Sequence, residues 1–381
     1  MKRIAIFCDG TWNRSDARTP THVVRLAQAV RPTARDGTTQ VVHYLPGVGI
    51  GQGVTRLSRW LDRFMGGALG WGLDDRILDA YRNLIFTYEP GDQIYIFGFS
   101  RGAYTARSLA GLIRTAGIPP SNCTDRIPEA MAMYRAREGR TSRPDSEQSL
   151  HKRAALSPDT ATSDADLDWR RARGLDSTLL QITYLGVWDT VGALGLPSFL
   201  GLVARVFNAH YAFHDADLSR SVGAARHAVA IDERRRHFPP ALWANLDALN
   251  EEVTGPTSLY QQLWFAGNHG IVGGSGRVPA LSAFPTAWIV AGAQERDLDF
   301  DARRLSPLLM LADIGADDKG AARHPSWRNL WGRLLRDRPL QTHPDTGEVF
   351  LSQVSGAAQD RVRKTDYRPR TLDQLLDEII D

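Results

Sequence analysis

The sequence predicts an α/β fold, a mostly parallel sheet with helices on both faces and inserted cap or lid segments. Three observations predict it. Short apolar runs rich in β-formers alternate with helical patterns in the order β, α, β, α, β, α over the first 117 residues, the alternation that builds a parallel sheet. The third run meets its helix at Gly98-Phe99-Ser100-Arg101-Gly102, the GxSxG spacing of a nucleophile elbow, which makes the fold α/β-hydrolase-like. Later runs end at or just before Asp189, Asp232 and His269, so residues able to do acid–base chemistry fall at the carboxyl edge of the sheet, where ligands gather.

Taken in order, residues 3–8 form a buried strand that ends in the polar turn Asp9-Gly10-Thr11-Trp12-Asn13. The basic-then-apolar start stops at Asp9 and is too short for a signal peptide. Residues 22–31 carry a helical pattern and Gln40–Leu45 a second strand. The glycine-rich loop at 46–53 follows; no register of it gives GxGxxG, so it reads as a flexible loop over the site and not as a dinucleotide cradle. Leu73, Ile77, Ala80, Tyr81, Leu84 and Ile85 recur at helical spacing, making 71–87 an amphipathic helix.

Ile94, Ile96 and Phe97 supply the elbow strand after the turn at Pro90-Gly91, and Ala103, Ala106, Ala110 and Gly111 keep one face of the next helix small until Gly117 and Pro119-Pro120 stop it. The elbow needs its glycines because side chains two residues either side of the serine would collide with neighbouring backbone. Ser100 Oγ then stands near a helix N-terminus, where N–H groups and the dipole favour developing negative charge. The competing reading is an ordinary strand–loop–helix with a buried serine.

From 121 to 177 the composition turns polar, an insertion expected to be a cap or a mobile linker. Residues 179–187 read as a fourth strand, 228–231 as a fifth and 262–265 as a sixth. Residues 196–212 are apolar and suit either a lid or a core helix. Residues 282–293 read as a helix in which Pro285 is tolerable only in the first turn. The stretch 300–365 reads as irregular, and Thr371-Leu372-Asp373-Gln374 as a capping box opening a last short helix. One elaborated domain over 1–381 is expected, with a core at about 1–120 and 178–300, the insertion at 121–177 and a C-terminal extension from about 300 to 381.

A serine hydroxyl becomes nucleophilic only when a base takes its proton, and that base needs a carboxylate to hold its tautomer. Of ten histidines, His269 follows a strand directly and is flanked by Gly267, Gly270, Gly273 and Gly274. His22, His151, His324 and His343 read as surface residues, His43 as a strand residue, and His210, His214, His227 and His237 as weaker candidates near the lid. Asp189 and Asp232 both preserve the chain order Ser, Asp, His. Asp189 is favoured by the tight turn between Gly186 and Gly192; Asp232 runs into Glu233 and three arginines that could pair with it, and stays open as an alternative acid. The oxyanion hole is expected to combine the Arg101 N–H with that of Gly10 or Thr11, on the loop where Asp9 lines the site.

At these residues the sequence resembles a known family. Residues 7–13 (FCDGTWN), 98–107 (GFSRGAYTAR), 186–195 (GVWDTVGALG) and 264–274 (WFAGNHGIVGG) are similar to the motifs of an α/β-hydrolase family catalogued as a domain of unknown function and related to type VI secretion phospholipase effectors. The resemblance covers about residues 1–300. It implies the triad roles for Ser100, Asp189 and His269, and hydrolysis of acyl esters, phospholipids among them. One departure is that Gly270 and Ile271 stand where the family usually has Ser or Cys and then Asp.

The bulk numbers agree with such an enzyme and narrow its partners. Lys+Arg 46 against Asp+Glu 43 gives a formal net charge of +3, too balanced to argue for nucleic acid. Arg170-Arg171 with Arg173, and Arg234-Arg235-Arg236, are solvated faces or surfaces for anionic headgroups, so transient membrane-surface contact is allowed. Cys8 and Cys123 are the two cysteines; they make neither a disulfide framework nor a CxxC site, which suits a reducing, cytoplasmic setting, with export by a specialised system compatible. No run reaches the ~20 apolar residues of a membrane span, and neither metal nor cofactor is expected. A phosphatase reading of Asp9-Gly10-Thr11 fails because Phe7 occupies the position of the required nucleophilic aspartate. A hydrolase-like binding or scaffold protein without turnover is the alternative function.

Overall fold

Apolar residues at nearly every position of 3–8, 93–99 and 182–188 suit strands buried on both faces, and these three are buried almost throughout. The computed structural model describes residues 1–10, 13, 20–47, 72–136, 144–191, 217–235, 238–251, 258–274, 278–316, 335–343 and 346–381. Its strands are β1 (Arg3–Cys8), β2 (Gln40–Leu45), β3 (Gln93–Phe99), β4 (Thr160–Ala161), β5 (Thr178–Leu179), β6 (Ile182–Trp188), β7 (Ala225–Ala230) and β8 (Tyr260–Phe265). Six of them form one sheet in the order β2-β1-β3-β6-β7-β8, with every pairing parallel. The short β4 and β5 pair separately.

The chain leaves β1 for β2 on one side and continues from β3 on the other. The strand order therefore reverses between β1 and β3, which opens a crevice at their carboxyl ends. Period-two alternation sorts the side chains. Ile4 and Ile6 of β1 with Ile94 and Ile96 of β3 pack under the helices Leu73–Thr87 and Arg101–Ala116, whereas Ala5, Phe7, Tyr95 and Phe97 face the helices His22–Ala29 and Pro279–Gln294. The elbow helix is buried along its whole length after Arg101, which explains its run of small residues.

Several expectations are corrected. The described part of the insertion is a set of helices, Ile127–Arg135, Glu147–Leu156 and Asp164–Arg171, and not a mobile linker. It is tied to the far end of the elbow helix by Arg153 Nη1 to Thr115 O (3.2 Å), Thr162 Oγ1 to Arg114 O (2.8 Å) and Ser157 Oγ to Ile118 O (2.8 Å). Sixteen residues of helix place that end about 24 Å from Ser100, so the parts of the insertion tied there lie away from the serine. The helix expected at 282–293 starts earlier, with Pro279 in its first turn, and Pro285 lies inside it. Residues 302–309 and 356–364 are helical, not irregular. The capping box does not form: Thr371 lies in a 3-10 turn and its hydroxyl donates to Ile231 O (3.1 Å), while the last helix begins at Leu376. The apolar stretch 196–212 and residues 48–53 of the glycine loop lie outside the described residues.

The C-terminal extension closes the β8 side of the sheet. Val354 bridges Trp264, and Leu340, Val354, Ala358, Val362, Leu372 and Ile379 build a separate apolar cluster on Val229, Ile231 and Trp264.

Candidate active site

Each residue of the site stands just past the end of a parallel strand. Asp9 follows β1, Ser100 follows β3, Asp189 follows β6 and His269 comes four residues after β8. Ser100 is forced into φ 59°, ψ −122°, a conformation that costs an ordinary residue about 1–3 kcal/mol. Its surroundings hold it there. The Ser100 N–H donates to Trp188 O (3.1 Å), and its carbonyl accepts from Ala103 and Tyr104 N–H. A Cβ on Gly98 would lie 2.4 Å from Gly102 O, and one on Gly102 would lie 2.1 Å from Cys8 O, so both elbow positions admit only glycine.

His269 opens the short helix His269–Val272, whose N-terminus is capped by the Asn268 side chain accepting from Ile271 N–H (3.1 Å). Its own N–H donates to Glu233 Oε2 (3.3 Å), and its ring lies between Phe99 (4.7 Å between centroids) and Phe238 (5.2 Å). From that slot Nε2 reaches Ser100 Oγ at 2.8 Å, and Nδ1 reaches Asp189 Oδ2 at 2.5 Å. The three side chains thus form a continuous hydrogen-bonded line. Ser100, Asp189 and His269 are all buried, so the charges that a proton transfer develops here are weakly screened.

Asp189 is the most heavily bonded carboxylate of the line. Oδ1 accepts from Ala230 N–H (2.9 Å) and Arg338 Nη1 (2.6 Å), and Oδ2 accepts from His269 Nδ1 and from Arg338 Nη2 (3.1 Å). Four donors fill the acceptor sites of one carboxylate. Burial alone would raise its pKa, but the Arg338 charge and the bonds from His269 and Arg338 outweigh burial and hold it below the ordinary carboxylate range. The loop behind it is fixed by His227, whose Nε2 accepts from Thr190 N–H (3.2 Å) and whose Nδ1 faces Gln262 Oε1 (2.9 Å). Burial pushes His227 down to about 3, which keeps it a neutral structural residue.

Asp232 is placed differently. Its Oδ2 accepts from Gly267 N–H (2.6 Å) and Tyr367 OH (2.7 Å), so it anchors the loop leading to His269 from below. Glu233, not Asp232, pairs with Arg235 at 2.8 Å. His22, expected at the surface, is buried against Trp188, whereas His151 is exposed and pairs with Glu147. Thr11, His210, His214, His237 and His324 lie outside the described residues.

Asp9 is buried in the crevice beside the serine. It accepts from Gly10 N–H (2.7 Å), Thr21 Oγ1 (2.9 Å) and Tyr44 OH (2.9 Å). A Cβ on Gly10 would lie 3.2 Å from that of Ser100, so this loop flanks the serine, although the Gly10 N–H is already engaged by Asp9. Burial pushes the Asp9 carboxyl up to about 6 against the three bonds that lower it. A carboxyl whose folded pKa lies above its unfolded value favours the folded state most below about pH 4, and that advantage is lost as pH rises through about 6. The shift from 3.8 to about 6 corresponds to about 3 kcal/mol. Asp9→Asn is therefore expected to flatten the fall in stability between pH 4 and pH 7, measured by urea melts of both proteins at each pH.

Arg338 and Tyr367 were not anticipated. Neither carries a local signal, since each gains its role only by contact with an aspartate more than a hundred residues away. Arg101, in contrast, is at its expected place as the first residue of the elbow helix; burial pushes its guanidinium down to about 10. Among the described residues no three His, Cys, Asp or Glu side chains are grouped as a metal ion would require. No described helix is long and apolar enough to cross a membrane.

Fold and site together define an α/β protein with a serine, a histidine and an aspartate in hydrogen-bonded line at the ligand-binding edge of a parallel sheet. A family model described as the catalytic domain of Tle1-like type VI secretion phospholipase effectors matches residues 2–292, and the chain belongs to that family. The resemblance seen in the motifs is borne out. Arg338 and Tyr367 lie beyond the matched residues. An uncharacterized protein of Saccharomyces cerevisiae is 29% identical over 244 residues, which cover 62% of this chain and 32% of the yeast protein. The chain thus spans about a third of that relative's length. Two solved structures are similar at lower identity. One is an uncharacterized protein from Pseudomonas aeruginosa (17% identity, TM-score 0.43, 82% of this chain and 49% of that one). The other is the Tle1 effector bound to the VgrG spike of the type VI secretion system (16%, TM-score 0.42, 93% and 89%).

Proposed function

We propose that the protein is a serine hydrolase of the α/β-hydrolase type, a single elaborated domain that cleaves acyl esters, with phospholipids as the substrate class. The observation that carries this is the line from Ser100 Oγ through His269 to Asp189, with both hydrogen bonds formed. In it, His269 Nε2 takes the hydroxyl proton as Ser100 Oγ attacks the ester carbonyl, and Asp189 stabilises the resulting imidazolium. The oxyanion of the tetrahedral intermediate is met by the Arg101 N–H at the head of the elbow helix and by a second donor on the loop after β1. Of the two expected donors the Gly10 N–H is already engaged by Asp9, which leaves Thr11, outside the described residues, as the proposed one; one such donor is worth about 3 kcal/mol of barrier. The intermediate collapses, His269 returns its proton to the leaving alcohol, and an acyl-Ser100 ester remains. Water, activated by the same imidazole, then releases the fatty acid and regenerates the serine.

Family membership supports a lipid as the acyl ester and delivery by a secretion system, the export that the cytoplasmic expectation left open. The unusual Gly270 and Ile271 do not favour a binding protein without turnover. Ile271 is buried with Val278 and Leu281, so the replacement is absorbed by packing while the ring of His269 keeps both partners. The expected result with a fluorophosphonate probe is covalent labelling of the wild type at Ser100 and none of Ser100→Ala, read by intact mass. Release of fatty acid from a panel of phospholipids and short acyl esters, read by mass spectrometry, then assigns the substrate. A wild type that neither labels nor hydrolyses any ester would overturn the proposal.

A further inference from the structure

Arg338 belongs to a C-terminal segment outside the family match, yet its guanidinium lies under the aspartate of the line. We propose that Arg338 is a positioning residue for hydrolysis: it holds the Asp189 carboxylate, and through it the His269 ring, in the orientation that faces Nε2 to the serine. This rests on the serine-hydrolase reading above. The fork contacts both oxygens of Asp189, and it also reaches main-chain carbonyls on either side. Nη1 donates to Ala230 O (3.1 Å) and Nη2 to Phe238 O (2.6 Å). Phe238 is the residue whose ring stands edge-on to His269. One side chain therefore braces the carboxylate that orients the imidazole and the backbone of a ring that walls it in.

The segment that carries Arg338 is itself held in register. Leu335 bridges Arg235, the Arg336 N–H donates to Arg234 O (2.7 Å), and Leu340 is buried in the apolar cluster over β7 and β8. Packing alone gives no reason for a guanidinium here. Arg338 is 5% exposed, and its Nε has no partner among the described residues, so the site tolerates an unmet donor to keep the fork on Asp189. A lysine could not reproduce the two-pronged contact.

The test compares wild type with Arg338→Gln and Arg338→Lys, using the rate of fluorophosphonate labelling and the kinetics of ester hydrolysis. Loosening the relay by a fraction of an ångström to an ångström is expected to lower kcat by about 10²-fold, with KM little changed and the labelling rate reduced in parallel. Arg338→Lys should fall between the two, because it keeps the charge and loses the fork. In Arg338→Gln the acid limb of kcat/KM should move to higher pH, since the hydrogen-bonded Asp189–His269 pair loses the positive charge that opposes its taking up a proton. Free guanidinium at low concentration should restore part of the rate, and methylammonium should not. A merely structural arginine predicts neither the pH shift nor guanidinium-specific rescue, so loss of rate without them overturns the proposal. A folded Arg338→Gln that labels and turns over at the wild-type rate overturns it as well. Should Arg338→Gln fail to fold, Arg338→Lys decides alone: a reduced kcat with KM little changed and labelling slowed in parallel supports the proposal, and full activity, or a loss that falls on KM alone, overturns it. Failure of the wild type itself to label overturns the hydrolase reading instead, and the two outcomes are distinguished by that control.

Discussion

Replacing Ser100 with alanine is expected to lower kcat for ester hydrolysis by about 10⁴- to 10⁶-fold. The size follows from the arrangement around the hydroxyl. Its oxygen is the atom that forms the acyl-enzyme bond, and its proton is the one that His269 Nε2, at 2.8 Å, is placed to receive. Without it the imidazole and aspartate have nothing to activate except water, and the oxyanion donors alone account for the residual rate. The fold should survive. Alanine keeps the Cβ and the positive φ of 59°, so the backbone strain is neither relieved nor increased. The lost bond leaves one buried nitrogen of His269 unpaired, a cost of about 1–3 kcal/mol. Circular dichroism and a thermal melt beside the activity assay separate the two effects, and a Ser100→Ala protein that still hydrolysed esters at a tenth of the wild-type rate would exclude Ser100 as nucleophile.

The parts of this site that could be read from the sequence share a physical origin. Ser100, Asp189 and His269 each sit near the end of an apolar run, and a parallel sheet carries all such ends to one edge. Strand periodicity and glycine spacing were therefore enough to assemble them. The choice between Asp189 and Asp232 was harder because both residues end strands of the same kind. What separates them is supplied from afar: Arg338 lies under Asp189, and Tyr367 reaches Asp232. No local pattern announces either contact. The insertion was misread for a different reason. Its polar composition suggests a linker, but part of its interior is ionic, with Asp166 bonded to Arg153 at 2.7 Å and to Arg170 at 2.9 Å and all three fully buried. A buried ion cluster looks like a solvated stretch to any reading based on hydropathy. His22 was misplaced in the same way, since its neighbour Thr21 is polar but turns its hydroxyl inward to Asp9.

Asp189→Asn is expected to cost about 10⁴-fold in kcat, as removing the carboxylate frees the histidine to adopt the wrong tautomer, whereas Asp232→Asn should stay within about tenfold. Asparagine at 189 can turn its NH₂ toward Nδ1, which then accepts and leaves the proton on Nε2, facing the serine with the wrong polarity. The same substitution strands a buried cation. Arg338 would keep its carbonyl contacts but lose its charge partner, and breaking a buried ion pair by removing one member costs about 3–5 kcal/mol. Asp189→Asn is thus expected to be both slow and less stable. At 232 the geometry is forgiving, because Gly267 N–H and Tyr367 OH both meet the one oxygen Oδ2, and an amide oxygen can accept from both. The weakening of these charge-assisted bonds is expected to cost about 1.5 kcal/mol, which is about tenfold if all of it reached the transition state. Steady-state kinetics at pH 7.5 with a urea melt for each variant checks both assignments. A large loss in Asp232→Asn with near-normal turnover in Asp189→Asn would transfer the acid's role to the carboxylate that the loop before His269 now uses as its anchor.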